Sequence, residues 1–174
     1  MASLKKFTYK TIRGLFDQKE IDILKNYCKI KHINNTTNFD FLQSNADTGF
    51  YKDELMQVFL SKKKEIIEKA VGLELSETYT FWRCYTFGAE LTKHKDRSAC
   101  EISVTACIDS DKGNWPIFMG GKPIDLDPGD AVIYNACKIA HWRETYEGDY
   151  HMQVFFHYVN KKGRYTNLKG DRNI

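Results

Sequence analysis

The chain is predicted to be an α+β protein, in which two helices lead and a run of short antiparallel strands follows. Three observations carry this. The N-terminal part holds two stretches with apolar side chains at helical intervals. After Glu77, aromatic and β-branched residues crowd into short runs such as YTFWRCYTF and QVFFHYV. The joints between those runs, KGNW, MGGKP, DPGD and YEGD, are turn sequences with no helical pattern between them, so the strands pair as antiparallel neighbours and not as parallel βαβ units.

In FDQKEIDILKNYC, Asp17 stands three residues before Glu20, the spacing of a capping box. Ile21, Leu24, Tyr27 and Cys28 follow at helical intervals, which predicts a helix over 18–29. The polar stretch NNTTNFDFLQSNADTG reads as a loop. A second helix is expected over 50–71, with Leu55, Phe59, Ile66 and Ala70 on one stripe, Lys62, Lys63 and Lys64 on its wet face, and Gly72 as its stop. Neither helix carries an obvious chemical group, so both read as a brace against one face of a sheet. Strands are expected over 78–87, 101–108, 116–118, 131–134, 139–142 and 150–159. Seven or eight short strands close naturally as a jelly roll, a double-stranded β-helix whose mouth can hold a small ligand.

The length of 174 residues suits a single domain over 1–174: a helical brace over about 15–72, a jelly-roll core over about 77–160 and a basic tail over 161–174, expected to fray. Net charge is +3, from 26 basic and 23 acidic side chains, too weak a field to argue for a nucleic-acid partner. Cys28, Cys84, Cys100, Cys107 and Cys137 are odd in number and lack CxxC spacing, which argues against a disulfide framework and a thiolate zinc site. No stretch approaches the length of a membrane span and MASLKKFTYK has no apolar signal region, so a cytoplasmic protein is expected. Composition leaves the oligomeric state open.

His94 and Asp96 lie two residues apart just after a strand, and in an extended chain such residues point to the same side. A solvated turn explains the pair; so does a metal site awaiting one more ligand from a distant strand. His141, His151 and His157 are candidates for the third. His141 is preferred because DPGDAVIYNACKIA supplies a turn, a strand and a return before it. Two imidazoles and one carboxylate on one face of an octahedral ion leave three positions open, the arrangement of non-haem Fe(II) oxygenases.

The segments RCYTFGAELTKHKDRSACEISVTACI and PGDAVIYNACKIAHWRETYEGDYHMQVFFHYV resemble the 2-oxoglutarate and Fe(II)-dependent dioxygenases, most closely their prolyl-hydroxylase-like branch. The likeness covers about residues 78–159 and joins several features: a Tyr and a Gly before HxD, the PGD turn, and a distal His followed by a final aromatic strand. It implies that His94, Asp96 and His141 hold iron, with 2-oxoglutarate and O2 as cosubstrates and ascorbate as an optional reductant. It also implies that Tyr85 hydrogen-bonds the cosubstrate.

One departure stands out. The family usually carries Arg or Lys nine or ten residues beyond the distal His, to meet the far carboxylate of 2-oxoglutarate; here those positions are Tyr150 and His151. Arg143, two residues past His141 and on the same strand face, is the first candidate to take over. His151 is second and Arg83 third, and each alternatively serves as partner to a buried carboxylate such as Glu101 or Glu144. His151, Gln153 and His157 share one side of the last strand. Arg97 is expected to steady Asp96 or meet substrate, and Trp142, with Trp115, to line the mouth. By resemblance the chain hydroxylates an unactivated C–H of a prolyl or similar residue in a peptide or protein. An oxygenase for a free amino acid or small metabolite, and a non-catalytic metal- or ligand-binding barrel, are the alternatives.

Overall fold

The computed structural model describes residues 7–34 and 47–170. Along these run β1 (Tyr9–Ile12), α1 (Gln18–Asn34), β2 (Asp47–Tyr51), α2 (Glu54–Val71), β3 (Leu75–Tyr85), β4 (Leu91–His94), β5 (Ile102–Ser110), β6 (Ile117–Met119), β7 (Lys122–Ile124), β8 (Ala131–Tyr134), β9 (His141–Arg143) and β10 (His151–Asn160). The strands form a six-stranded sheet, β1-β8-β5-β10-β3-β2, and a four-stranded sheet, β4-β9-β6-β7, with every pairing antiparallel. This is the α+β jelly roll that the strand pattern predicts.

Alternation along the strands sorts the side chains between two sides. On β10, Met152, Val154, Phe156 and Tyr158 join a core with Leu24, Cys28, Met56, Leu60 and Ile67 of the helices. Their neighbours His151, Gln153, Phe155 and His157 turn the other way, into the barrel, where Tyr79, Tyr134, Ile117 and Met119 bring both sheets together. The helices therefore brace the outside of the large sheet and leave its inner face to the site.

The capping box at α1 forms in both directions, Asp17 N donating to Glu20 Oε2 at 3.0 Å and Glu20 N to Asp17 Oδ1 at 2.9 Å. The second helix departs from expectation. It starts at Glu54, because Asp53 caps it by accepting from the backbone N–H groups of Leu55 and Met56, and Gly72 ends it in the left-handed conformation. Its buried stripe is Met56, Phe59, Leu60, Lys63, Ile67 and Val71, while Ile66 is 45% exposed. Lys63 is thus inside, its ammonium 2.5 Å from Glu20 of α1 and its charge over the Phe16 ring.

Residues 47–49, read as loop, belong to β2, which pairs with β3; the rest of that loop from 35 to 46 lies outside the described residues. β1, β4 and β7 are strands of three or four residues that the pattern did not announce. The tail is not frayed as far as Gly170: Lys161 N donates to Glu74 O, Gly170 N donates to Glu77 O, and Leu168 packs on the interior cluster. Residues 171–174 lie outside the described part. Among the described residues no helix is long and apolar enough to cross a membrane.

Candidate metal centre

β4 and β9 lie side by side in the small sheet, with His94 directly opposite His141. Just past the end of β4, Asp96 is pinned by its backbone N–H to Ala136 O at 3.0 Å. These three side chains offer one ligand atom each, all within 4.8 Å of one another. Asp96 Oδ1 is 3.2 Å from His94 Nε2 and 3.5 Å from His141 Nε2.

The tautomers decide what such a cluster can hold. His94 Nδ1 lies 2.6 Å from Thr92 O and His141 Nδ1 lies 3.1 Å from Ile139 O. A carbonyl only accepts, so each imidazole donates its Nδ1–H there and turns the Nε2 lone pair towards the carboxylate. Three sets of lone pairs face one point, a repulsive arrangement until a cation lies between them. The donor set, two neutral nitrogens and one anionic oxygen, fits an Fe(II)-type ion, which these three residues would hold while leaving positions for other ligands.

The centre opens on a cavity of about 420 Å³ lined by His94, Asp96 and His141 together with Tyr51, Tyr79, Phe81, Arg83, Arg97, Tyr134, Phe155 and His157. Arg97 stands at this cavity with its guanidinium 4.7 Å from the Tyr79 ring centre. Trp142 does not. Alternation sends it to the outer face of the small sheet, where it stacks on Phe118 at 5.1 Å under the ammonium of Lys93. Trp115 is buried inside, against Tyr85, His151 and Tyr146, and not at a mouth.

Deeper in the barrel the structure gathers Tyr85, Arg143, His151 and Gln153. Arg143 is 2% exposed, its guanidinium lies 4.6 Å from the Trp115 ring centre, and it donates to Trp115 O while its Nε has no partner. Burial pulls its pKa down from the usual arginine value, partly offset by Tyr85, Cys107 and Tyr134. Among the described residues no carboxylate pairs with it. Glu101 is engaged with Asn160 N, and Glu144 points to solvent. His151 Nε2 donates to Gln153 Oε1 at 2.8 Å, and Gln153 Nε2 donates to Thr105 Oγ1 at 2.6 Å. Burial, helped by the charge of Arg143, pushes His151 down to about 3, so it is neutral at physiological pH. Arg83 lies nearer the mouth, 5% exposed, donating to Tyr85 Oη at 3.4 Å with its guanidinium over Phe81.

Tyr79, Cys100, Ser103 and Tyr134 are site residues that the sequence reading passed over. Period-two alternation could have found Tyr79, in register with Arg83 and Tyr85. Ser103 could not be found that way, because its place beside Asp96 depends on how distant strands pair.

No protein-family model matches the chain, and no curated protein matches it in sequence. Solved structures do. A prolyl-4-hydroxylase from Pseudomonas putida superposes with a TM-score of 0.72 at 14% identity, covering 90% of this chain and 95% of its own. The α-ketoglutarate-dependent non-haem epimerase SnoN of nogalamycin biosynthesis gives 0.74 at 10% identity, covering 90% and 79%. HygX from Streptomyces hygroscopicus, in a structure with nickel, 2-oxoglutarate and hygromycin B bound, gives 0.70 at 8% identity, covering 91% and 85%. The chain has the jelly-roll fold of the 2-oxoglutarate/Fe(II) oxygenases.

Proposed function

We propose that this chain is an Fe(II)- and 2-oxoglutarate-dependent oxygenase, with residues 1–174 working as one domain, that hydroxylates an unactivated C–H of a prolyl or similar residue of a peptide or protein. The observation that carries the reading is the convergence of His94 Nε2, His141 Nε2 and Asp96 Oδ1 at the floor of an open cavity. The prolyl-4-hydroxylase likeness supports the peptide substrate. When bound, iron and 2-oxoglutarate would supply the oxidising chemistry, in which O2, the cosubstrate and the substrate C–H become succinate, CO2 and the hydroxylated product.

The protein's own share is binding and orientation. His94, Asp96 and His141 would hold the ion. Arg143 meets the far carboxylate of 2-oxoglutarate with the planar fork that suits it, and Tyr85 offers its hydroxyl nearby. Neutral His151, linked through Gln153 to Thr105, fills the rest of this depth without adding a second charge. Tyr79, Phe81 and Phe155 form the apolar wall against which a substrate ring packs, and Arg97 stands at its edge. None of the five cysteines is in a disulfide and four are buried, as suits a reducing cytoplasm in which iron stays Fe(II).

A small-molecule substrate is the second reading, favoured by the comparable fold likeness to HygX, whose structure holds hygromycin B. Succinate formation from 2-oxoglutarate with added Fe(II) and ascorbate tests the reading. Wild type is expected to form succinate, stimulated by proline-containing peptides over free amino acids, whereas His94→Ala and Asp96→Ala form none. Stimulation by small metabolites alone would favour the second reading. Iron binding without any turnover would make the chain a binding barrel.

A further inference from the structure

The two oxygens of Asp96 face different ways. Oδ1 faces both imidazoles, whereas Oδ2 has one hydrogen-bond partner among the described residues, Ser103 Oγ at 3.3 Å. Ser103 is wholly buried on β5 and sits directly opposite His157 of β10, whose Nδ1 lies 2.8 Å from the same hydroxyl. Alternation along β10 aims His157 here, and β3 carries a bulge opposite it. Phe156 pairs with Thr80 and Tyr158 with Glu77, so Thr78 and Tyr79 together oppose His157 alone, and its ring lies 4.4 Å from that of Tyr79.

Proton counting fixes the direction of this chain. Ser103 has one hydroxyl hydrogen and close contacts with His157 Nδ1, Asp96 Oδ2 and Cys100 O at 3.2 Å, and the Tyr134 hydroxyl, which carries its own hydrogen, also interacts with it. Were Ser103 to donate to His157, Asp96 Oδ2 would lose the one described donor that reaches it. If His157 instead carries its proton on Nδ1 and donates to Ser103, the hydroxyl is released towards its two oxygen acceptors, of which the charged one is the stronger. His157 Nε2 is then a lone pair on the cavity wall, where no described residue bonds to it.

Resting on the iron reading above, we propose that His157 and Ser103 are positioning residues, a relay His157 Nδ1–H to Ser103 Oγ–H to Asp96 Oδ2. The relay ties up one carboxylate oxygen so that Asp96 offers only the other to the ion. A carboxylate left free to turn would offer both oxygens and close one of the vacant positions that the chemistry needs. The partners that orient a metal ligand typically contribute about 10–100-fold in metal affinity.

The test is a titration with Co(II), which air does not oxidise under these conditions, followed by its visible spectrum and by calorimetry. It is joined to nitrogen-15 NMR of the imidazoles in the metal-free protein. Wild type is expected to bind one equivalent and His94→Ala none. Ser103→Ala and His157→Phe, with unchanged circular dichroism, should bind roughly 10–100-fold more weakly with an altered Co(II) spectrum. His157→Asn, which keeps a donor near the Nδ1 position, should recover most of the affinity. The NMR should show the Nδ1–H tautomer of His157, a readout on wild type that stands even if a variant fails to fold. Wild-type affinity and spectrum in Ser103→Ala, or an Nε2–H tautomer, overturn the relay while leaving the iron reading intact. Absence of Co(II) binding by wild type overturns both.

Discussion

Arg143 and Gly129 show two ways in which a single residue matters here. Arg143 is a buried cation with an unpartnered Nε and no described carboxylate beside it, a costly arrangement unless an anion completes it. Arg143→Ala should raise the 2-oxoglutarate KM by roughly 30–100-fold, the worth of a charge-assisted, two-pronged hydrogen bond, while Co(II) affinity stays within about twofold. An unchanged KM would move the anchor to His151 or Arg83. Gly129 lies in the PGD turn with φ +94°, and a Cβ there would stand 2.8 Å from Phe16 O. Its own N–H donates to Cys107 O and its carbonyl accepts from Phe16 N, so it ties the approach to α1 onto β5. Gly129→Ala should cost about 2 kcal/mol in urea denaturation, from both the strained backbone and the clash. A loss below about 0.5 kcal/mol, the scatter of an ordinary surface substitution, would contradict this.

At the scale of elements, the two helices are fastened to each other by Glu20, which takes Lys62 and Lys63 of α2 at 2.9 and 2.5 Å. Burial would raise the Glu20 pKa, but the two lysines and Asp17 N–H overcome it and hold it at about 2, below its ordinary 4.5. A carboxyl with a lowered folded-state pKa stabilises fully above its ordinary value and loses that contribution as pH falls from about 4.5 towards about 2. Glu20→Gln should therefore be less stable than wild type by about 2 kcal/mol near neutral pH, with the gap closing as pH falls towards 3. A gap that stays constant would rule out the clasp.

This clasp also marks where sequence legibility ends. The capping box at α1 was readable because its signal is local. Lys63 was read as solvent-facing because a three-lysine run looks wet, and only the tertiary contact with Glu20 explains its burial. The large strands were legible from alternation. β4 and β7 were not, since three or four residues hold too little pattern and owe their strand geometry to neighbours. The same division applies to the site: His94, Asp96, His141 and Arg143 are separated by spacings that alternation can read, whereas Ser103 and His157 meet only through the register of β5 against β10.

For the whole molecule, the jelly roll brings residues from β3, β4, β5, β8, β9 and β10 to one interior, so binding there should tighten both sheets at once. Mn(II) and 2-oxoglutarate together should raise the thermal midpoint of wild type by more than the sum of each alone, because in the proposed reading the cosubstrate would span from the ion to Arg143. His141→Ala should show no cooperative rise. Equal shifts in wild type and variant would place the binding elsewhere.

The most direct measurement is a crystal structure with Mn(II) and N-oxalylglycine, an inert mimic of the cosubstrate. The ion should be held by Nε2 of His94, Nε2 of His141 and one oxygen of Asp96, with the mimic's far carboxylate on Arg143. An ion bound through other side chains, or His141 turned away from it, would contradict the account.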